Sequence, residues 1–383
     1  MKAEVLRWEA RLRRNTSPDV PWFEASRSEA AAWDAFVEVA PGGDVVQTTA
    51  WAETKRALGF EACLVLVRDG EVPVGGGHII IKRFGPLGGI GYVARGPLMA
   101  GAFAGRTAQV LDEIERVARA RRVRHLVIQP PEGGEKIEAL LAARGYTQDA
   151  PDVAPSATMR IDLRQDLERI LAAMSSSTRR QIRRSQKLGV DVRIGGAHEV
   201  ELFHSLYAAT ARRHGFEPVS LAYLRRQWEV LAPEERVQMI FASHAGRVLA
   251  AVWLTAFGDT VTDRLSGWNG EGRHLHPNVA CCWAAVRWAK ERGYRYYDFS
   301  GIPRPAAELL VRGEPLPETF HRSPGAFKRE FGANPVLLPV ASQITFNPVA
   351  RFLVRSVCPS LFRPDSIRWL VQRLRSGAVR PVT

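Results

Sequence analysis

A repeat restricts how this chain can fold more than any other feature of it. Two helical stretches, a hairpin, a strand, a helix and a closing strand occur twice in that order, and placing Gly70 on Gly246 gives an offset of about 176 residues. In the first copy, Ser28 to Ala40 reads as a helix with Trp33, Phe36 and Val37 on one face, ended by Pro41-Gly42-Gly43. Thr49 to Leu58 is a second helix carrying Trp51 and Lys55 on one side. Ala62 to Val67 and Val72 to Ile81 form a hairpin turning at Asp69-Gly70. An extended segment from Gly91 to Pro97, a long helix from Phe103 to Arg121 and a strand from His125 to Ile128 complete the copy. In the second copy, residues 198 to 215 and 220 to 231 read as helices. Val237 to Ser243 and Val248 to Phe257 are the hairpin, and Val261 to Trp268 is the strand. Asn278 to Arg292 is the helix and Tyr294 to Phe299 the closing strand.

A chain of 383 residues is too long for one ordinary core. The repeat therefore implies two similar domains of mixed α/β (α+β) class, produced by internal duplication. Short antiparallel strands with a helix packed across them, joined to a strand-helix-strand unit, suit an acetyltransferase-like (GNAT-like, acyl-CoA N-acyltransferase-like) module better than a Rossmann sheet. The expected boundaries are an N-terminal arm over 1–24, a first domain over 25–160 and a second over 161–332. Residues 333–383 complete the first domain through a returning strand within Val336 to Phe346.

The 53 Lys and Arg outnumber the 40 Asp and Glu, and the net charge of +13 suits a polyanion: tRNA, a nucleotide diphosphate or an anionic membrane surface. Cys63, Cys281, Cys282 and Cys358 have no metal-ligand spacing and point to a reducing cytoplasm. The first fifteen residues alternate charged with apolar residues and offer no signal-peptide core, and no run of 18 apolar residues occurs. The expectation is a soluble cytoplasmic protein able to touch the inner face of a membrane. A Gly-x-x-x-x-Gly-Lys loop, His-Glu-x-x-His, Cys-x-x-Cys and Gly-x-Ser-x-Gly are all absent, which argues against ATP hydrolysis and zinc chemistry. No stretch strictly fits the Arg/Gln-x-x-Gly-x-Gly/Ala loop with which acetyltransferases grip coenzyme A.

Two stretches carry candidate chemistry. The first runs from Phe320 to Gly332 and centres on Phe327-Lys328, about twenty residues after the strand that ends at Gly301. A lysine at a helix end is ordinarily solvated. Lys328 lies among aromatic residues that would pack its stem, and an ammonium fixed in this way can stabilise the oxyanion of acyl transfer. The second is Ser175-Ser176-Ser177-Thr178, able to cap a helix bearing Arg179, Arg180, Arg183 and Arg184. Such a helix is either a solvated face or a phosphate-binding surface. Beyond these, a basic amphipathic run with Phe352, Leu361, Trp369 and Leu374 among Arg363, Arg368 and Arg373 would dock on its own domain or lie on anionic lipid.

Taken in order, these motifs resemble those of the Fem (FemABX-like) family of aminoacyl-tRNA-dependent peptidyl transferases, over most of residues 40 to 335. Asp298-Phe299-Ser300-Gly301-Ile302 followed by Phe327-Lys328 and Phe331-Gly332 looks like the family's ending. Gln47-Thr48 with Trp51 and Lys55 looks like its Gln-Ser-x-x-Trp-x-x-x-Lys helix, and Thr210 to Phe216 its Thr and Arg before Gly-Phe. Pro277-Asn278 with Trp283 looks like its Pro-Asn helix, and Thr178, Arg179, Ile182 and Arg183 like the start of its second domain. The resemblance implies tandem acetyltransferase-like domains and Lys328, beside Phe327, as the catalytic lysine. It further implies Lys55 with Trp51 on a substrate diphosphate, and Arg212 or Arg213 with Thr210 on phosphate. Without the resemblance, Trp51 and Trp283 are helix packing and Lys55 is solvated surface.

The chain also departs from the family. Where members acting on nucleotide-linked muropeptides carry Tyr-x-Tyr, it has Asp263 and Leu265, which leaves the acceptor open. There is no room between Gly215 and Val237 for the helical arm of some members, so a tRNA contact would move to Arg179, Arg180, Arg183 and Arg184. The expected function is transfer of an amino acid from aminoacyl-tRNA to an amine of a peptidoglycan precursor, forming an interpeptide bridge. It needs no metal or cofactor, aminoacyl-tRNA being the co-substrate, and Asp298 is either a base or a structural cap. The alternatives are the same ligation on a small secondary metabolite, an N-acyltransferase using coenzyme A or a carrier thioester, and a non-catalytic module binding RNA or anionic lipid.

Overall fold

The computed structural model describes residues 27–70, 72–84, 88–321 and 323–346. The N-terminal arm, the basic C-terminal run and Cys358 lie outside the described residues. The chain forms two compact units that divide between Ala154 and Pro155 and again between Leu338 and Pro339.

The path begins with helices α1 (Arg27–Val39) and α2 (Thr49–Arg56), then strands β1 (Glu61–Asp69), β2 (Val72–Arg83), β3 (Gly89–Ala94) and β4 (Leu98–Met99). Helix α3 (Thr107–Ala120), β5 (Val123–Gln129) and α4 (Glu135–Ala143) follow. The second unit opens with β6 (Ala157–Asp162), α5 (Leu167–Ala173), α6 (Ser176–Lys187) and β7 (Asp191–Gly195). It continues through α7 (Val200–His214), α8 (Leu221–Leu231), β8 (Val237–His244), β9 (Arg247–Phe257), β10 (Thr260–Trp268), α9 (Pro277–Glu291) and β11 (Tyr296–Gly301). Helices α10 (Arg304–Arg312), α11 (Glu318–His321) and α12 (Pro324–Glu330) lead to β12 (Asn334–Leu337) and β13 (Ser342–Thr345). Among the described residues no helix is long and apolar enough to cross a membrane.

The duplication is visible in the sheets. The first runs β1-β2-β3-β5-β13 with β4 beside β2, and the second β12-β6-β11-β10-β9-β8-β7. In each, an antiparallel hairpin (β1-β2, β8-β9) adds a third antiparallel strand (β3, β10), and a helix (α3, α9) carries the chain to a parallel neighbour (β5, β11). Gly70 and Gly246 occupy equivalent turns with φ of 59° and 75°, a conformation that glycine adopts without steric cost. Each unit has its own core. Val65, Ile79, Leu111, Ile114 and Leu126 fill the first, and Met159, Val252, Leu254, Val286, Tyr297 and Phe331 the second.

The two units differ at the parallel step. β3 and β5 pair all along Gly89–Ala94, whereas β10 and β11 pair only over Thr260–Thr262 and Tyr296–Asp298. β10 then slips register against β9 between Asp263 and Leu265, and β11 slips against β6 between Asp298 and Gly301. Bulges of this kind redirect strands and are common beside active sites.

The return of the chain is divided, where the sequence reading gives all of 333–383 to the first domain. β12 pairs with β6 in the second sheet and β13 with β5 in the first. Arg304 Nη1 donates to Ser156 O (3.0 Å) and Leu338 O (2.6 Å), and Leu338 N to Ser156 O (2.9 Å), which holds the chain on the second unit as far as Leu338. The change of sheet comes at once: Gln129 Nε2 donates to Pro339 O across 2.9 Å. The expected boundary at 160/161 accordingly falls inside β6.

Candidate active site

Lys328 sits in the last turn of α12. Ser323 caps the helix by accepting from Gly325 N (3.1 Å), and Pro324 occupies the first turn, where its missing N–H costs nothing. Phe327 and Phe331 lie with ring centroids 4.8 Å apart, tilted at 47°, and both meet Phe299 of β11, at 6.5 and 5.5 Å. Phe331 is 1% exposed, and its burial stabilises the seat of α12 by roughly 1.5–3 kcal/mol. Gly332 then closes the helix at φ 76°, where an added Cβ would lie 2.9 Å from the Ala173 backbone. The Phe-Gly pair of the motif is thus required by packing and by backbone conformation.

The end of β11 is shaped to receive the lysine. Asp298 accepts from Ser300 N across 2.6 Å, a local bond that holds Ser300 in the left-handed region at φ 64°. Thr158 Oγ1 hydrogen-bonds both Asp298 Oδ1 and Ser300 O, and Arg160 Nε meets Asp298 Oδ2 at 3.3 Å. Lys328 Nζ donates to Gly301 O (2.7 Å) and Ser300 O (3.2 Å). An ammonium has three donors, and the third has no hydrogen-bond partner among the described residues. Burial lowers the lysine's pKa, while the charges of Asp263 and Asp298 act in the opposite direction. The oxygens of Asp298 are engaged by Ser300 N, Thr158 Oγ1 and Arg160 Nε.

Asp263 sits on the bulge of β10 and is also buried. It accepts from Tyr297 Oη (3.1 Å) and Ser266 Oγ (3.3 Å), and Cys282 Sγ lies 4.0 Å away. Burial pushes its carboxyl up to about 7, against the opposing pull of these hydrogen bonds and the Lys328 charge. The thiols of Cys281 and Cys282 are raised by burial and stay protonated.

The other expected site residues have the following local surroundings. Lys55 lies 5.2 Å from the Trp51 ring centroid, and Trp51 itself is buried, so it packs the helix and supports the lysine stem. Gln47 Oε1 accepts from His78 N (2.9 Å) and its Nε2 donates to Ala94 O (2.5 Å), fixing this segment beside the first sheet. Thr210 Oγ1 accepts from Trp268 N (2.8 Å). Arg213 donates to Trp268 O (2.5 Å) and stacks 4.6 Å from its ring, so it anchors the loop after β10. Arg212 is exposed. On α6, Ser175 caps by accepting from Thr178 N (3.1 Å), and Thr178, Ile182 and Ser185 face inward. Arg180, Arg183 and Arg184 are exposed, whereas Arg179 donates to Ala172 O (2.9 Å) and Met174 O (2.6 Å) at the end of α5.

The sequence reading missed Thr158, Arg160 and Tyr297, and it noted Asp263 only as a departure from the family pattern. An aspartate inside an apolar strand was the available signal, because a buried carboxyl needs partners. Among the described residues no group of three or more His, Cys, Asp or Glu could hold a metal ion.

Two family models match parts of the chain. Residues 29–140 match the model of the FemAB family, and residues 172–308 match that of an acetyltransferase (GNAT) domain. Lipid II:glycine glycyltransferase of Staphylococcus haemolyticus (strain JCSC1435) is 30% identical over 210 residues, 52% of this chain and 50% of that protein. The Staphylococcus aureus enzyme of the same name is 26% identical over the same shares. The chain thus spans about half the length of the curated relatives it matches. The crystal structure of FemX superposes with a TM-score of 0.74 at 18% identity, covering 87% of this chain and 99% of that one, a likeness of fold.

Proposed function

We propose that this FemABX-like chain, a tandem of acetyltransferase-type units, moves an amino acid from aminoacyl-tRNA to an amine of a peptidoglycan precursor. The single observation that carries the reading is the seat of Lys328: two donors held by Ser300 O and Gly301 O, the third without a hydrogen-bond partner among the described residues, at the point where β10 and β11 stop pairing. A cation so held needs no reorganisation when negative charge develops beside it. The acceptor amine attacks the ester carbonyl carbon and forms the C–N bond. The Lys328 ammonium stabilises the tetrahedral oxyanion, and the ribose hydroxyl leaves with a proton as the C–O bond breaks. The ester is already activated, so the reaction needs no nucleotide hydrolysis.

The substrate class rests on relatives named for glycyl transfer to Lipid II. Lys55 and Arg212 are the cations proposed for the acceptor's phosphates, and the exposed Arg180, Arg183 and Arg184 for tRNA phosphates. A membrane-linked acceptor would bring the chain to the inner membrane face. Asp263 and Leu265, in place of an aromatic pair, favour a second reading in which the same reaction serves a smaller amine.

The test is label transfer from a pool of charged tRNA, offered muropeptide precursors and, separately, small amines, with wild type beside Lys328→Ala. Transfer to muropeptides by the wild type alone supports the first reading, and transfer only to small amines supports the second. No effect on charged tRNA in any arm contradicts both.

A further inference from the structure

The turn that seats Lys328 holds a serine in a conformation that suits glycine. Ser300 lies at φ 64°, where an L side chain is strained and a glycine is not. Of the non-glycine residues with positive φ, it is the one bonded to Lys328. Its backbone is fully engaged: the N–H donates to Asp298 Oδ1 across 2.6 Å, and the carbonyl oxygen accepts from Thr158 Oγ1 (2.8 Å) and Lys328 Nζ (3.2 Å). A glycine would make each of these bonds. The side chain is half-buried, and its Oγ has no hydrogen-bond partner among the described residues. At the next position, a Cβ added to Gly301 would crowd Pro155 Cβ at 3.1 Å. The Ser300 hydroxyl is therefore the side-chain group that this turn presents. A serine Oγ lies within about 5 Å of its own carbonyl oxygen, which puts it within about 8 Å of Lys328 Nζ.

We infer that Ser300 is a substrate-contacting residue whose hydroxyl hydrogen-bonds the acceptor amine during attack. The inference rests on the reading of Lys328 as the oxyanion-stabilising group. The third donor of Lys328 marks where the ester carbonyl oxygen sits, and the attacked carbon is one bond, about 1.2 Å, beyond it. An amine poised about 3–3.5 Å from that carbon has its N–H groups in the space next to this turn. Ser300 Oγ accepts one N–H of the neutral amine, which turns the nitrogen lone pair toward the carbon. The serine keeps its own proton throughout. As the C–N bond forms and the C–O bond breaks, the nitrogen's proton leaves with the ribose oxygen. A strained residue kept beside a reacting group is the pattern expected where the side chain serves the reaction. Glycine would relax the turn and lose the contact.

The test separates the hydroxyl from the backbone. Ser300→Gly removes both the hydroxyl and the strain, whereas Ser300→Ala removes the hydroxyl and keeps the strain. Thermal denaturation of the full chain should place Ser300→Gly at or above wild type and Ser300→Ala close to it. Transfer from charged tRNA is measured with muropeptide precursors and with small amines in separate arms, and Lys328→Met is run alongside. In the arm where wild type transfers, both serine variants should lose about five- to tenfold in kcat/KM for the acceptor, with KM for charged tRNA unchanged. Wild-type transfer by both variants, with Lys328→Met slow, overturns the inference and leaves the proposed function standing. A lowered Tm accompanying the lost activity of Ser300→Gly makes the serine structural, and a raised KM for charged tRNA assigns it to the donor; either result also overturns the inference. Wild-type transfer by Lys328→Met, or none by wild type in either arm, overturns the proposed function and the inference together.

Discussion

Lys328 Nζ donates to Gly301 O across 2.7 Å, joining the last turn of α12 to the end of β11. The bond depends on a chain of local causes. Asp298 accepts from Ser300 N, Ser300 takes a left-handed conformation, and the carbonyls of Ser300 and Gly301 face the ammonium. The aromatic seat of Phe299, Phe327 and Phe331 keeps the helix in register with this turn.

Gly332→Ala should destabilise the second unit by about 1–3 kcal/mol, since the new Cβ meets both an unfavourable φ and the Ala173 backbone. Denaturant titration followed by tryptophan fluorescence measures it. Transfer activity should fall with it, because α12 carries Lys328.

Asp263→Asn should raise stability at alkaline pH. The Asp263 carboxyl is raised from 3.8 to about 7, so between those values the folded chain binds more protons than the unfolded chain. Its contribution is most favourable below the unfolded pKa and is lost as pH rises through the folded one. The variant should therefore gain on the order of 1–3 kcal/mol at pH ~8 and little at pH ~4. Denaturation at the two pH values checks both sign and window.

The arginines of α6 should separate by role. Replacing Arg180, Arg183 and Arg184 with alanine should weaken tRNA binding and reduce the slope of log affinity against log salt by about 2–3. Arg179→Ala should instead cost stability, because its guanidinium holds the carbonyls of Ala172 and Met174. Filter binding at several salt concentrations, paired with thermal denaturation, distinguishes the two effects.

Arg212 and Arg213, left as alternatives by the sequence, should also diverge. Arg213→Ala loses the bond to Trp268 O and the stack on its ring, at a cost of about 1–2 kcal/mol. Arg212→Ala should leave stability within about 0.5 kcal/mol and raise the KM for a phosphorylated acceptor. Steady-state kinetics and melting curves on the same preparations test the split.

The duplication was legible because hydrophobic period and turn glycines are local signals: Gly70 and Gly246 mark equivalent turns of both hairpins. The connection from Arg304 to Glu330 was not. Its three short helices begin at prolines or follow polar linkers, and tertiary packing, rather than a long apolar stripe, holds them. The division of β12 from β13 was equally hidden, since it depends on Arg304 meeting carbonyls 34 and 148 residues away. Lys328 could be singled out from its motif, but the groups that hold the turn it binds, Thr158 and Arg160, are brought to Asp298 and Ser300 by strand pairing and carry no shared local pattern.

The most direct test of the account is the single-turnover rate of amide formation at saturating charged tRNA and acceptor, for wild type and Lys328→Met. A folded Lys328→Met that binds charged tRNA as tightly as wild type and reacts about 10²–10³-fold more slowly is the predicted result. A rate within about threefold of wild type would contradict the central claim, because transition-state charge would then be stabilised by some other group.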